Sequence, residues 1–432
     1  MPRSMPPTTS ARVGSPTLFL AGDALVVAPW SRVDDPGFLR LVATMRAADA
    51  TIVNLETVIH EYASPAQADA GGTHMASPPA VARELAWAGV DLVSAANNHA
   101  LDYGPGGVLE TIAHARGAGL AIAGIGEDLQ RARAATAVDA AGTRVALVSM
   151  TATFAPHHRA SASRLDLPGR PGVNPLAVTH RRVVTIPAAM MARIGGFRHL
   201  REGRPVPGEK RLRLAGGMVE IRGGPWRELG VGARIVAASR RANLAAIEAA
   251  AGQADITVVA IHSHAQGPWL RRFAREAIGA GAAIVHVHGP HTVRGIEVRD
   301  RAIVLYGTGD FVYQPHLVSR FPSDAYEQAG LTEDAGPGEL VALQQRHMGL
   351  HKRATYEGAA AIVGFRDARP SSLRLLPVDL RFDAPPSLRG LPRLADPALG
   401  REIIGTIARR SRRYRTRVRY DAERNEGVVD LA

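Results

Sequence analysis

Three histidines close the stretch IVHVHGPH (284–291), directly behind an apolar run. Five of the chain's 16 histidines fall between 262 and 291: His262, His264, His286, His288 and His291. Imidazole is the commonest side-chain ligand for Zn, Mn, Fe and Ni. The chain has no cysteine, which removes thiolate metal sites, cysteine nucleophiles and disulfides together. Any metal must therefore be held by His, Asp, Glu or Asn. Asp23, Glu56 and Asn98 offer such groups, each behind a short apolar run. With His262, His288 and His291 they make three carboxylate or amide groups and three imidazoles. That is enough for two divalent ions sharing a bridging carboxylate. Taken singly, each has an ordinary structural reading: a hydrogen-bonded histidine, or an asparagine in a turn. The ordered combination is what points to a metal.

The elements that must position these residues read as an α/β chain. TLFLAGD (17–23), ATIVNLE (50–56), VDLVSAANNH (90–99) and LAIAGIG (120–126) are apolar strands, most running into polar groups. Helical spacing separates them at 36–49, 78–89 and 104–119, with Pro at the starts and Gly at the ends of the last two. Such alternation predicts a largely parallel, covered sheet, and ligands in open α/β sheets gather at the C-terminal strand ends. After an Arg-, Gly- and Pro-rich stretch (151–235), read as an insertion or lid with some helix around 177–196, the rhythm resumes. A helix at 236–251 leads to the strand ITVVAIHSH (256–264), then a helix at 266–280 and AAIVHVHGPH (282–291). Two strands with a turn near Asp300 follow, then a loop-rich segment (315–352) and a mixed tail with one helix near 397–410.

The 432 residues, 46% hydrophobic and 21% charged, allow a sizeable core. Residues 1–14 are polar and Pro-rich, without the apolar core of a signal peptide, and are expected to be disordered. No run reaches the ~18 apolar residues of a membrane span, so the expected setting is cytoplasmic, with no membrane partner. Formal net charge is +12, and part of the excess lies in RRSRRYRTRVRY. Arg415, Arg417 and Arg419 read as one face of a solvated strand. With little aromatic interleaving and no nucleic-acid motif, DNA or RNA binding is not predicted.

The ordered set AGD (21–23), NLE (54–56), ANNHALDYG (96–104), IHSH (261–264), HGPH (288–291), RGIE (294–297) and YGTGDF (306–311) resembles the CapA family. These are poly-γ-glutamate capsule biosynthesis proteins, similar in turn to calcineurin-like metallophosphoesterases. The likeness spans about 15–315, with 316–432 as a loop-rich segment and C-terminal extension. It implies a four-layer α/β/β/α sandwich and roles by position. Asp23 and His291 would bind a first metal, Glu56 would bridge, and Asn98, His262 and His288 would bind a second. His99 would be the general acid. Where phosphoesterases usually carry a further histidine, this chain has Leu25, which leaves the first metal a thin shell of Asp23, Glu56 and His291. Ser263-His264 stands where family members often show Trp-Gly, and Gly309-Asp310-Phe311 where Gly-Asn-Phe is frequent.

The implied activity is hydrolysis with one or two divalent ions (Mn, Zn or Fe), on an anionic phosphoester or on an amide such as a γ-glutamyl bond. A non-catalytic accessory role in polymer synthesis is the alternative. Asp102 either orients His99 or caps the following helix. Arg170, in the stiff loop GRPGVNP, and Arg294 are candidates for a small or polymeric anionic substrate. On a strand, His264 would share a face with His262 and line the site, whereas His286 would sit one layer deeper, supporting a ligand or serving the structure.

Overall fold

The computed structural model describes residues 14–431 except 71, 187–209, 215–216, 224–226, 333 and 348–351. The expected N-terminal disorder thus lies outside the described residues, apart from Gly14. Strands β1 (Thr17–Leu25), β2 (Ala50–Leu55), β3 (Leu92–Ser94) and β4 (Ala121–Ala123) alternate with helices α1 (Pro36–Arg46), α2 (Ala80–Trp87) and α3 (Gly104–Gly117). Helix α1 starts where the sequence says it should. The Asp35 carboxylate accepts from the Phe38 N–H at 2.8 Å and Pro36 takes the first helical position. A hairpin of β5 (Thr136–Ala140) and β6 (Thr143–Thr151) follows. Later come β7 (Ile256–His262), β8 (Ile284–His288), the hairpin β9 (Ile296–Arg299) and β10 (Ala302–Leu305), and β11 (Asp310–Tyr313). The long hairpin β12 (Glu357–Arg366) and β13 (Arg369–Asp379), and the pair β14 (Val418–Asp421) and β15 (Glu426–Val429), complete the set.

The protein is α/β. The ten-stranded sheet runs β14-β15-β13-β12-β1-β2-β3-β4, with β11 added on β1 and a short strand, Arg393–Leu394, on β13. The six-stranded sheet runs β9-β10-β8-β7-β6-β5. From β1 to β4 all neighbours are parallel, as are β6-β7-β8-β10. Side-chain alternation divides the core. Phe19 and Ala21 of β1 join Phe38, Leu41, Leu85, Val108 and Ile112 of the three helices. Leu18 and Leu20 join Val145, Leu147, Ile256, Val258 and Ile284 of the six-stranded sheet. The two sheets therefore share one buried apolar layer, and each fully buried Leu or Ile in it contributes about 1.5–3 kcal/mol.

Leu176–Asn243 with Gln266–Phe273 forms a second, smaller compact unit. This smaller unit holds a four-stranded sheet, in spatial order Lys210–Leu214, Gly217–Gly223, Val178–Ile186, Arg227–Ile235. The helix expected around 177–196 is corrected here: 178–186 is strand, as its β-branched VTHRRVVTI favours, and 187–196 lies outside the described residues. Two further expectations change. The segment 315–352 carries helices Ser323–Gln328 and Pro337–His347. Arg415 has φ +63 and sits between the 3-10 turn that follows helix Pro397–Ser411 and the strand beginning at Val418. Arg417 and Arg419 instead both approach Asp430, at 3.9 and 3.6 Å. Among the described residues no helix is long and apolar enough to cross a membrane.

Candidate metal centre

Strand β1 changes neighbours at the point where chemistry begins. Its first half pairs with β12 and its last residues with β11. Strict alternation would send Asp23 to the helix side with Phe19 and Ala21. The register instead breaks between Leu20 and Asp23 against β2, and again after Asp23 against β11. Gly22 permits the break: a Cβ there would lie 1.8 Å from the Gly309 carbonyl oxygen. Asp23 then stands beside Asn54 in one direction and Asp310 in the other. In the six-stranded sheet His262 stands beside His288.

Asp23 is held at both oxygens. Oδ1 accepts from Asn54 Nδ2 at 2.8 Å and Oδ2 from the Gly289 N–H at 2.9 Å. Gly289 has φ +95, and a Cβ there would meet His262 Nε2 at 2.9 Å, so both backbone and space require glycine. His291, with φ +49, places Nδ1 2.7 Å from Asp310 Oδ1 and 3.8 Å from Asp23 Oδ2, and Nε2 3.8 Å from Glu56 Oε1. Glu56 is fully buried beside the Asp23 carboxyl, and no N–H donor or hydroxyl reaches either of its oxygens. His262 Nε2, without a hydrogen-bond partner, stands 3.6 Å from Glu56 Oε1.

Three overlapping sets of ligand atoms lie within 4.8 Å of one another: Asp23, Glu56 and His262; Asp23, His291 and Asp310; Glu56, His264 and His291. The donor set fits a divalent cation. Buried polar atoms left without partners cost free energy, and these are carboxylate oxygens and imidazole nitrogens facing one another.

The charges are adjusted accordingly. Burial, opposed by His291 and reinforced by Asp310, raises the Asp23 carboxyl to about 6. Burial and the neighbouring Asp23 push Glu56 well above the ordinary carboxyl range. For His291 burial works against the imidazolium, but Asp310, Glu56 and Asp23 outweigh it and raise its pKa well above 6.5. Burial drives His262 far below 6.5 and His288 to about 3, so both rings are neutral.

The other expected residues divide. His288 packs its ring 4.1 Å from that of His286, with neither nitrogen in a hydrogen bond of normal geometry. Asn98 is buried in the turn after β3. His99 Nδ1 lies 2.7 Å from Asp102 Oδ2, which also accepts from the Met75 N–H at 2.7 Å. Asp102 is not a helix cap: α3 begins after Tyr103, with no side-chain cap. His264 is exposed, and its ring offers one atom to a set that could hold a cation. Arg170 is exposed and donates from Nε and Nη2 to the Arg159 carbonyl. Arg294 is half-buried, and its pKa is lowered by burial and by Arg410 and Arg413. His286 meets Thr308 Oγ1 through Nε2 at 2.9 Å.

The sequence reading missed Asn54, Asp310 and His158. Asn54 was visible only as the first letter of NLE. His158 is buried, and neither ring nitrogen has a partner. Burial and His157 lower its pKa to about 4, with Asp102 and Asp69 opposing. Because the folded pKa lies below the unfolded value, the unfolded chain takes up this proton first as pH falls. Stability from this group is therefore lost from about pH 6.5 down to about 4, by at most ~1.4 kcal/mol per pH unit. His158→Leu should flatten that part of the stability profile, measured as denaturant midpoint against pH. An unchanged slope would remove His158 as its source.

The family model described as bacterial capsule synthesis protein PGA_cap matches residues 17–315. The chain belongs to this family. An uncharacterized protein, y4sH, of Sinorhizobium fredii is 30% identical over 426 residues, covering 93% of this chain and 90% of its own. A probable polyglutamine synthesis accessory protein of Mycobacterium tuberculosis is 27% identical over 307 residues, 69% of this chain and 65% of that one. Among solved structures, a hypothetical protein from Thermus thermophilus aligns with a TM-score of 0.38 and 14% identity, over 84% of this chain and 99% of that chain. At that score the likeness supports no conclusion about fold. All six expected metal ligands of this capsule synthesis family member fall within the matched span, as do His99 and Asp102.

Proposed function

We propose that this chain is a metal-dependent hydrolase acting on an anionic phosphoester or γ-glutamyl-like amide. The observation that carries the reading is the buried, mutually facing set of Glu56 oxygens, reached by no N–H donor or hydroxyl, and His262 Nε2, beside Asp23. One or two divalent ions, Mn, Zn or Fe, would be held by Asp23, Glu56 and His291 and by Asn98, His262 and His288. Such an ion, when bound, supplies Lewis-acid polarisation and a water of lowered pKa. The chain's own residues supply the rest. Asp102 holds the Nδ1 proton of His99, which leaves Nε2 to give a proton to the leaving oxygen or nitrogen. His264 at the rim is exposed to an incoming substrate. The reading assigns a cytoplasmic setting and a small or polymeric anionic partner, not nucleic acid or membrane.

Protein purified without chelators should carry stoichiometric Mn, Zn or Fe by elemental analysis. Absence of metal, with a thermal midpoint unmoved by added Mn²⁺ or Zn²⁺, would defeat the proposal. A second reading has one observation in its favour, the accessory role in the name of the Mycobacterium tuberculosis relative. Under it, the metal-loaded protein would turn over neither phosphoesters nor amides in a screen and would act by binding a polymer or its synthase.

A further inference from the structure

We infer that Asp310 is itself a ligand of the first cation position, and that this position therefore takes a hard, oxygen-preferring divalent ion such as Mn²⁺. The inference rests on the metal-dependent reading above. Asp310 opens β11 directly beside Asp23 in the sheet register and is buried to 1% exposure. Its Oδ1 takes His291 Nδ1 at 2.7 Å, while its Oδ2 is buried with no hydrogen-bond partner. Ligand atoms of Asp23, His291 and Asp310 lie within 4.8 Å of one another.

An orienting role alone does not account for this arrangement. Holding His291 occupies one oxygen of Asp310 and leaves the other buried without a partner. The second oxygen is explained if a cation completes it. Counting Asp310, the position has three carboxylates (Asp23, Glu56 and Asp310) and one imidazole, His291. Oxygen-rich shells favour Mn²⁺ or Mg²⁺ over softer ions. The neighbouring position, with His262, His288 and Asn98, is richer in nitrogen and suits Zn²⁺.

The test compares the metal-free full-length protein with Asp310→Asn by calorimetric titration, using Mn²⁺ and Zn²⁺ as separate probes. The amide is isosteric and still accepts from His291 Nδ1. Mn²⁺ binding should weaken at least about tenfold, with Zn²⁺ binding unchanged. Unaltered Mn²⁺ affinity in Asp310→Asn would overturn the inference and leave the metal reading standing. A wild-type protein that binds neither ion would overturn both. Should the amide variant lack a cooperative thermal transition, Asp310→Ala serves the same comparison, with His291→Gln beside it to read the loss of the imidazole alone.

Discussion

His99→Ala should lower turnover on a confirmed substrate by about 10²–10⁴-fold while bound metal stays at the wild-type level. Asp102 holds the imidazole from Nδ1 at 2.7 Å and is itself anchored by the Met75 N–H. The same turn is tied to the ligands by Asn97, whose Oδ1 accepts from the His99 N–H at 3.1 Å and whose Nδ2 donates to the Leu55 carbonyl at 2.7 Å. Leu55 precedes Glu56, so the proposed acid is fixed to the proposed bridging carboxylate through one short hydrogen-bonded path. A group that acts only in the transition state should take kcat and kcat/KM down together. If KM alone rises, His99 binds substrate and is not the acid. If activity is retained, neither role holds.

Much of the site was legible because polar residues behind apolar strands are costly unless they have work to do. AGD, NLE, ANNH, IHSH and HGPH are each ordinary taken singly, and it is their ordered combination that points to a metal. Asp310 was less legible. In YGTGDF it stands out only as a departure from Gly-Asn-Phe, and its significance lies in pairing with Asp23, which is remote in the chain. Local pattern carries no record of that register. Asn54 was hidden for the same reason, since its amide matters only through Asp23 Oδ1. Arg170 is a case apart: its Nε and Nη2 donate to the Arg159 carbonyl, which fixes the exposed guanidinium on its loop and leaves its Nη1 donors outward. In the fold, the helix–strand rhythm from 17 to 126 was clear from periodicity. The strand Val178–Ile186 was misread although its β-branched composition was in view.

Glu56→Gln should abolish metal-induced stabilisation and, with no metal added, leave the protein at least as stable as wild type near pH 7. The two halves have one cause. Glu56 is fully buried, with no N–H donor or hydroxyl at either oxygen. Burial and Asp23 raise its pKa well above the ordinary 4.5. A carboxyl with a raised folded pKa binds more protons folded than unfolded. Its contribution is fully present below about pH 4.5 and is lost as pH rises toward the folded value. Near neutrality the metal-free wild type thus bears either a retained proton or a poorly solvated charge, and glutamine removes both. With metal, the sign reverses for wild type alone. Binding at a hundredfold over Kd stabilises by about 2.7 kcal/mol, and Glu56 is the residue common to the sets containing His262 and His264. Thermal midpoints of both proteins, with chelator and with saturating Mn²⁺ or Zn²⁺, read both halves in one experiment. Equal metal-induced shifts in Glu56→Gln and wild type would show that the buried carboxylate serves no cation. A metal-free variant much less stable than wild type would instead make Glu56 a structural group whose charge the fold needs.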